Sequence, residues 1–315
     1  MITKLLLAAA LALALFALFA TWKSARNDAQ AQIDYPPIGD FVTIAGKRVH
    51  YWKSGSGPAV VLIHGAGGNL RDYTFNLAKE LAKTHTVIAF DRPGHGYTDP
   101  LHNGGATLAE QAGLLKRALD DIGIDQAVIA GYSFGGAVAL RWALDYPETT
   151  QGLVLMNAVS NPWVDPPSYT YALAAGRITG PIFSTLVSAF APQSLVDNTM
   201  RSLFAPRATP TGYLDYIGAG LSLRKVSIRA NGKQVHFLRP QIVSQSARYE
   251  AELAQTPTVI LHGDADITIP RVIHSDVLAK QLPHADYVVL DGVGHSVHHY
   301  GVEEVVTAVK KLSAE

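Results

Sequence analysis

An unbroken apolar run from Leu5 to Ala20 lies between Lys4 and Lys23, with no polar residue at helical spacing to give it a wet face. A helix that is apolar all round belongs in lipid or in a deep core, and its place at the N-terminus favours lipid. The run falls between the ~20 residues of a spanning helix and the ~7–15 of a signal-peptide core. Cleavage wants small residues at both recognition positions; Leu18 spoils a cut after Ala20. Ala29-Gln30-Ala31 fits that pattern but lies past several charges. Residues 1–22 therefore read as an uncleaved membrane anchor, with a cleaved secretory signal as the second reading. Residues 23–37, ending in Tyr35-Pro36-Pro37, read as a linker. The remainder, 38–315, would then lie outside the cytoplasm.

Beyond the linker the apolar pattern becomes rhythmic. Phe41–Ile44 and Arg48–Trp52 predict two strands joined by a turn at Ala45-Gly46. Ala59–Ile63, Thr86–Phe90, the stretch 126–132, Gly152–Met156, Thr256–Leu261 and Tyr287–Leu290 are short apolar runs without alternation, as expected for strands buried on both faces. Helical spacing separates them over 73–82, 108–122, 134–146, 272–281 and 303–312. Strands alternating with helices predict a mostly parallel sheet covered on both faces. The rhythm breaks at Asn157. From about 161 to 248 the chain carries helix-like stretches punctuated by prolines from Pro162 to Pro210 and no clean strand, which predicts a helical cap inserted over the carboxyl edge of the sheet.

Composition narrows the chemistry. Lys and Arg together number 26, as do Asp and Glu, and no basic patch or charge run is present, so nothing suggests a nucleic-acid partner. The chain has no cysteine, which removes disulfides, thiolate metal sites and a cysteine nucleophile.

The candidate nucleophile is Ser133, in Gly131-Tyr132-Ser133-Phe134-Gly135-Gly136, directly after an apolar strand and before a helix. Glycines around such a serine permit a sharp turn that lifts its hydroxyl above the sheet edge, where a base can reach it. Among twelve histidines, His295 follows the last predicted strand in Asp291-Gly292-Val293-Gly294-His295; His298 and His299 are rivals expected to begin the final helix. Two carboxylates, Asp264 and Asp266, follow the preceding strand. Asp266 is preferred because it lies further along the loop, able to project toward the next one and hold the base in one tautomer. The backbone N–H groups of Phe134, at a helix N-terminus, and of Ala66, in His64-Gly65-Ala66-Gly67-Gly68, are the candidate oxyanion donors. That glycine loop lacks a following Gly-Lys-Ser/Thr and the dinucleotide spacing. Asp91, Arg92 and His95 are read as holding the adjacent loop rather than as a metal or charge site, and His64 as structural.

His64-Gly65, Asp91-Arg92-Pro93-Gly94-His95-Gly96, the Ser133 motif, His262-Gly263-Asp264-Ala265-Asp266 and Gly294-His295 occur in order at strand ends. On these motifs the chain, over about 36–313, resembles the α/β-hydrolase superfamily, of the capped, single-domain kind. The resemblance implies an eight-stranded mostly parallel sheet, a cap after the sixth strand, and acyl-enzyme chemistry with neither cofactor nor metal. Epoxide hydrolases and haloalkane dehalogenases carry aspartate where this chain has Ser133, which argues against both activities.

The expected activity is hydrolysis of a carboxylic ester of a small or medium hydrophobic substrate. Some of Trp163, Tyr169, Tyr171, Phe183 and Phe190 are expected to line an acyl pocket, although for any one of them the cap's own core is the favoured place. Lactone or carbon–carbon-bond hydrolysis on the same residues is the alternative, and a non-catalytic membrane-tethered binding module a third reading. Oligomeric state is not legible.

Overall fold

The computed structural model describes residues 1–105, 107–164 and 167–314. Its centre is an eight-stranded sheet: β1 (Asp40–Ile44), β2 (Lys47–Ser54), β3 (Ala59–Ile63), β4 (Thr86–Phe90), β5 (Ala127–Tyr132), β6 (Thr150–Met156), β7 (Thr258–Gly263) and β8 (Asp286–Leu290). The spatial order is β1-β2-β4-β3-β5-β6-β7-β8. β2 runs antiparallel to both β1 and β4, and every other neighbouring pair is parallel. The β1–β2 hairpin turns on Ala45 and Gly46, both at positive φ (49° and 77°), the backbone sense that matches the twist of flanking strands.

The central strands are apolar throughout because each feeds two cores. Val61, Ile63, Ile129, Leu153 and Leu155 point to one face and pack with helices Leu108–Asp121 and Phe134–Asp145. Their alternates Val60, Leu62, Val128, Val154 and Met156 point to the other, against Leu77, Leu81, Val305 and Val309. The period-two alternation of a strand thus appears as continuous apolarity when both faces are covered.

Chain order reverses at β3, which lies between β4 and β5. Ligand crevices form at such switch points, beyond the strands' carboxyl ends. Here the loop after β3 and the turn after β5 are brought side by side.

Between β6 and β7 the described residues form helices and no strand. Helices Tyr169–Ala175, Thr179–Phe190, Gln193–Phe204, Tyr213–Ile217, Ala219–Ser222 and Lys225–His236 lead the insertion, and Leu238–Ser246 and Tyr249–Glu252 end it. The last two belong energetically to the body: Leu238, Ile242 and Tyr249 join the core around Ile129 and Leu153.

The N-terminal helix runs from Ile2 to Asp34 without interruption. The linker expected over 23–37 is therefore helical for most of its length. Residues 23–34 contain no glycine or proline, and Pro36 restricts only the residue before it. The segment is also tied down: Asn27 donates to the carbonyl of Ser188 at 2.8 Å, and Ser188 donates to Asp28 at 2.7 Å. This helix is long and apolar enough to cross a membrane, with Leu5–Phe19 exposed.

Candidate active site

Ser133 sits between β5 and the helix Phe134–Asp145 at φ 54°, ψ −119°, a region that side chains other than glycine's rarely adopt. The turn is held by backbone bonds from Ser133 N to Met156 O and from Gly136 N and Val159 N to Ser133 O, each 3.0 Å. A Cβ on Gly135 would stand 2.0 Å from the carbonyl oxygen of Ile63, so only glycine lets the helix start this close to β3.

His295 lies in the loop after β8, and Asp266 in the turn after β7. His295 Nδ1 is 2.7 Å from Asp266 Oδ2, and His295 Nε2 is 3.0 Å from Ser133 Oγ. An ionised carboxylate only accepts, so Nδ1 carries the proton and Nε2 faces the serine as an acceptor. All three side chains are buried. Burial alone would raise the Asp266 pKa. Hydrogen bonds from His295, from the Asn157 amide and from the backbone outweigh it and leave the carboxyl below its ordinary range. The other oxygen, Oδ1, accepts Thr268 N at 2.7 Å and Ile269 N at 3.0 Å. Asp264, the alternative carboxylate, is exposed, its own N–H donating to Leu290 O.

Asn157 was not among the residues singled out from sequence. It follows β6 directly, at positive φ (45°), and its Nδ2 donates to Asp266 Oδ2 and to Gly294 O. His262 lies 3.6 Å from the same carboxylate, but its Nε2 donates to Ile269 O at 2.9 Å and its Nδ1 accepts from Ser275 at 2.7 Å. Its task is to shape the 266–269 turn.

His298 and His299 do not begin the final helix, which starts at Val302; they occupy a separate short helix, Val297–Tyr300. Both face Asp72, with Nε2 atoms 3.0 and 2.9 Å from its Oδ1, and Tyr213 from the cap donates to the same oxygen at 2.7 Å. The Tyr132 ring stands between His295 and His298, with centroids 4.8 and 4.1 Å away. Burial pushes the His298 pKa down to about 4.

The loop after β3 is braced from behind. Arg92 donates from its N–H to His64 Nε2, from Nε to His64 O and from Nη2 to Gly65 O, all at 2.9 Å. Its Nη1 reaches Gln111 (2.8 Å) and the cap residue Gln234 (2.6 Å), and the guanidinium lies 4.3 Å over the Phe134 ring. Because His64 Nε2 accepts, its Nδ1 donates to Gly65 O at 2.9 Å. Asp91 takes the N–H groups of Leu70 and Tyr97 (both 2.8 Å) and His50 Nδ1 (2.6 Å). These are loop-holding bonds, as the sequence suggested. Among the described residues the backbone N–H groups of Ala66 and Phe134 have no protein acceptor.

Ser133, His295 and Ala66 line one cavity of about 390 Å³. Its walls are largely cap side chains, among them Leu195, Met200, Leu203, Phe204 and Ile217. Of the five aromatic candidates only Tyr171 lines it. Trp163 packs on the body core, and Phe190 stacks on the N-terminal helix.

Residues 58–302 match the family described as alpha/beta hydrolase fold. The chain belongs to the α/β-hydrolase family. The 2-hydroxymuconate semialdehyde hydrolase of Pseudomonas putida is 29% identical over 89% of this chain and 95% of its own length. The acetyltransferase component of the acetoin-cleaving system of Cupriavidus necator is 39% identical, but over 44% of this chain and 37% of that protein, so this chain spans well under half of that relative. A solved structure described as a membrane phospholipase A matches with TM-score 0.68 and 21% identity over 98% of this chain and 99% of its own, a likeness of fold. In α/β hydrolases generally the nucleophile stands on a strand-to-helix elbow, with partners following in the order Ser, Asp or Glu, His; Ser133, Asp266 and His295 occur in that order.

Proposed function

We propose that this α/β hydrolase cleaves carboxylic esters through a covalent acyl-enzyme on Ser133. The observation that carries the reading is the hydrogen-bonded chain Ser133–His295–Asp266 at the wall of an apolar cavity. Ser133 Oγ attacks the acyl carbon as His295 Nε2 takes its proton. The carbonyl oxygen becomes an oxyanion and accepts from the N–H groups of Ala66 and Phe134, the latter aided by its helix dipole. Collapse breaks the ester C–O bond, and the leaving alkoxide takes the proton back from His295. Water then attacks the acyl-enzyme by the same route, releasing the acid and restoring Ser133. Asp266 stays ionised throughout and keeps the His295 Nδ1 proton in place. The apolar cavity suits an uncharged hydrophobic acyl group. The N-terminal helix, long and apolar enough to cross a membrane, supports a membrane-anchored enzyme with its catalytic domain outside the cytoplasm; cleavage would instead release that domain into the same compartment.

Hydrolysis of p-nitrophenyl esters of increasing acyl length by the full chain in detergent, with Ser133→Ala alongside, tests the reading. Activity that survives in Ser133→Ala would overturn it.

Carbon–carbon-bond hydrolysis on the same residues is the second reading, favoured by the Pseudomonas putida relative's name. A chain inert on every ester yet active on a vinylogous diketone would establish it.

A further inference from the structure

Helix Thr179–Phe190 of the cap contains no charged residue. Starting one residue before it, Ile178, Ile182, Leu186 and Phe190 recur every fourth position and stand 78%, 60%, 37% and 38% exposed. Gly180, Ser184 and Ser188 recur with the same period on the opposite side and are buried. A surface helix of a water-soluble domain turns its bulky apolar face inward and its polar face out. This helix does the reverse. Small residues inside and large apolar residues outside is the pattern of helices that meet lipid, where small side chains let backbones approach.

The buried side is accounted for. The Ser188 hydroxyl donates to Asp28 and the Ser188 carbonyl accepts from Asn27 of the N-terminal helix, whose own residues Ala20 and Ser24 are also small and buried. The exposed side is continuous with the apolar stretch of that same helix. Phe190 stacks on Phe16 at 5.8 Å and 7°, lies 6.2 Å from Phe19, and has Lys23 Nζ 4.6 Å above its ring. Phe16 to Lys23 is where the N-terminal helix passes from purely apolar to charged sequence. Trp22, with Arg26 5.7 Å over its ring, is of the type that gathers at the lipid–water boundary.

We infer that helix 179–190 is an interfacial helix: its Ile178–Ile182–Leu186–Phe190 face lies in the headgroup–acyl boundary of the bilayer that receives the N-terminal helix. The occupant of this face is lipid. Two cavity-lining residues flank the stripe in sequence, Tyr171 before it and Leu195 after it, and Leu195 is itself 51% exposed. Docking therefore holds the cavity against the membrane, and the preferred ester is one dissolved in the leaflet. That substrate class rests on the hydrolase reading above; the docking does not.

The chain has no cysteine, so Ile182→Cys in the full protein offers one labelling site. A spin label there, in phosphatidylcholine–phosphatidylglycerol vesicles, is expected to meet oxygen more readily than a water-soluble nickel chelate. The same label at Lys280→Cys, an exposed position of the body, is expected to show the opposite. A Lys280-like response at Ile182 would overturn the proposal. So would label–label broadening with exclusion of both reagents, which marks a second copy on this face. For the substrate class, the double variant Ile182→Glu, Leu186→Glu is compared with the native chain on a soluble short-chain ester and on a vesicle-embedded acyl ester. Loss of about tenfold on the embedded ester alone is expected, since charge at this depth opposes interfacial binding. Equal rates on both would overturn the substrate class. Native protein inactive on both would count against the hydrolase reading while the spin-label result still decides docking.

Discussion

Asn157 donates its side-chain amide to Oδ2 of Asp266, the same oxygen that faces His295 Nδ1. Against burial, and after the larger effect of His295, the amide adds to holding the carboxylate below its ordinary range, and it fixes the angle at which the carboxylate meets the imidazole. Its second contact, to Gly294 O at 3.3 Å, ties the strand end to the residue before His295. Asn157→Ala is expected to lower kcat about ten- to hundredfold, the weight of one charge-assisted hydrogen bond, with KM little changed. Asn157→Asp, which sets a second carboxylate against Asp266, is expected to be worse and to shift the acid limb of the kcat profile upward. Steady-state kinetics on an ester across pH would show both. An Asn157→Ala enzyme that loses only affinity would place the residue outside the proton path.

The Ser133 backbone predicts a trade between activity and stability. At φ 54° and ψ −119° a Cβ is strained by about 1–3 kcal/mol. Ser133→Gly removes the strain; Ser133→Ala keeps it. Both are expected to be inactive, but with the roughly 0.5–1 kcal/mol entropic cost of glycine set against the relieved strain, about 1 kcal/mol remains and Ser133→Gly is expected to melt about 2–4 °C above Ser133→Ala. Calorimetry of the pair decides it, and a Ser133→Gly that melts below Ser133→Ala would mean the turn is relaxed, since only the entropic cost of glycine would then remain.

The apolar runs are sufficient to locate the strands along the chain, because strands covered on both faces appear as short continuous apolar stretches; their order in the sheet is not legible in them. Ser133, His295 and Asp266, which the structure joins in one hydrogen-bonded chain, each stand just after a strand, and a parallel sheet gathers such ends on one edge. Asn157 occupies a comparable place, directly after Met156, but a polar residue ending a strand is common and carries no chemical signature. The Asp72–His298–His299 cluster was illegible for a different reason: Asp72 and the histidines are joined only by tertiary packing, and Tyr213 comes from the cap. The linker expected over 23–37 is helical to Asp34 because the first breakers, Pro36 and Pro37, come only at its end, and alanine- and glutamine-containing sequence without a breaker continues a helix.

Several histidines make stability depend on pH below neutrality. Burial pushes His64, His274 and His298 each down to about 4, with the Arg92 charge adding to the effect at His64. Their unfolded value is about 6.5, so between pH 6.5 and about 4 the unfolded chain binds protons that the fold refuses. Stability is full above about 6.5 and falls with pH through that window, then levels with respect to these groups below it. The melting temperature is expected to drop steadily from pH 7 to pH 4, and His274→Gln to shallow the slope. A flat profile over that range would show that the imidazoles protonate in place.

Arg92 offers the sharpest test of how the Ala66 loop is held. Among the described residues the buried guanidinium has no carboxylate partner, and burial pushes its pKa down to about 9. Its fork grips His64 O and Gly65 O on one side and Gln111 and Gln234 on the other, so one side chain fixes the loop, the body helix and the cap together. Arg92→Ala leaves several buried carbonyl oxygens unsatisfied and is expected to cost about 3–5 kcal/mol or to prevent folding. Arg92→Lys keeps the charge but cannot reproduce the fork. It is expected to fold and, on the proposed acyl-enzyme mechanism, to lose kcat about tenfold or more, because the Ala66 N–H proposed as an oxyanion donor is then no longer held in place. A folded Arg92→Lys with native kcat would show that the loop needs only a buried cation behind it. Native kcat with raised KM would instead assign the fork to cap position.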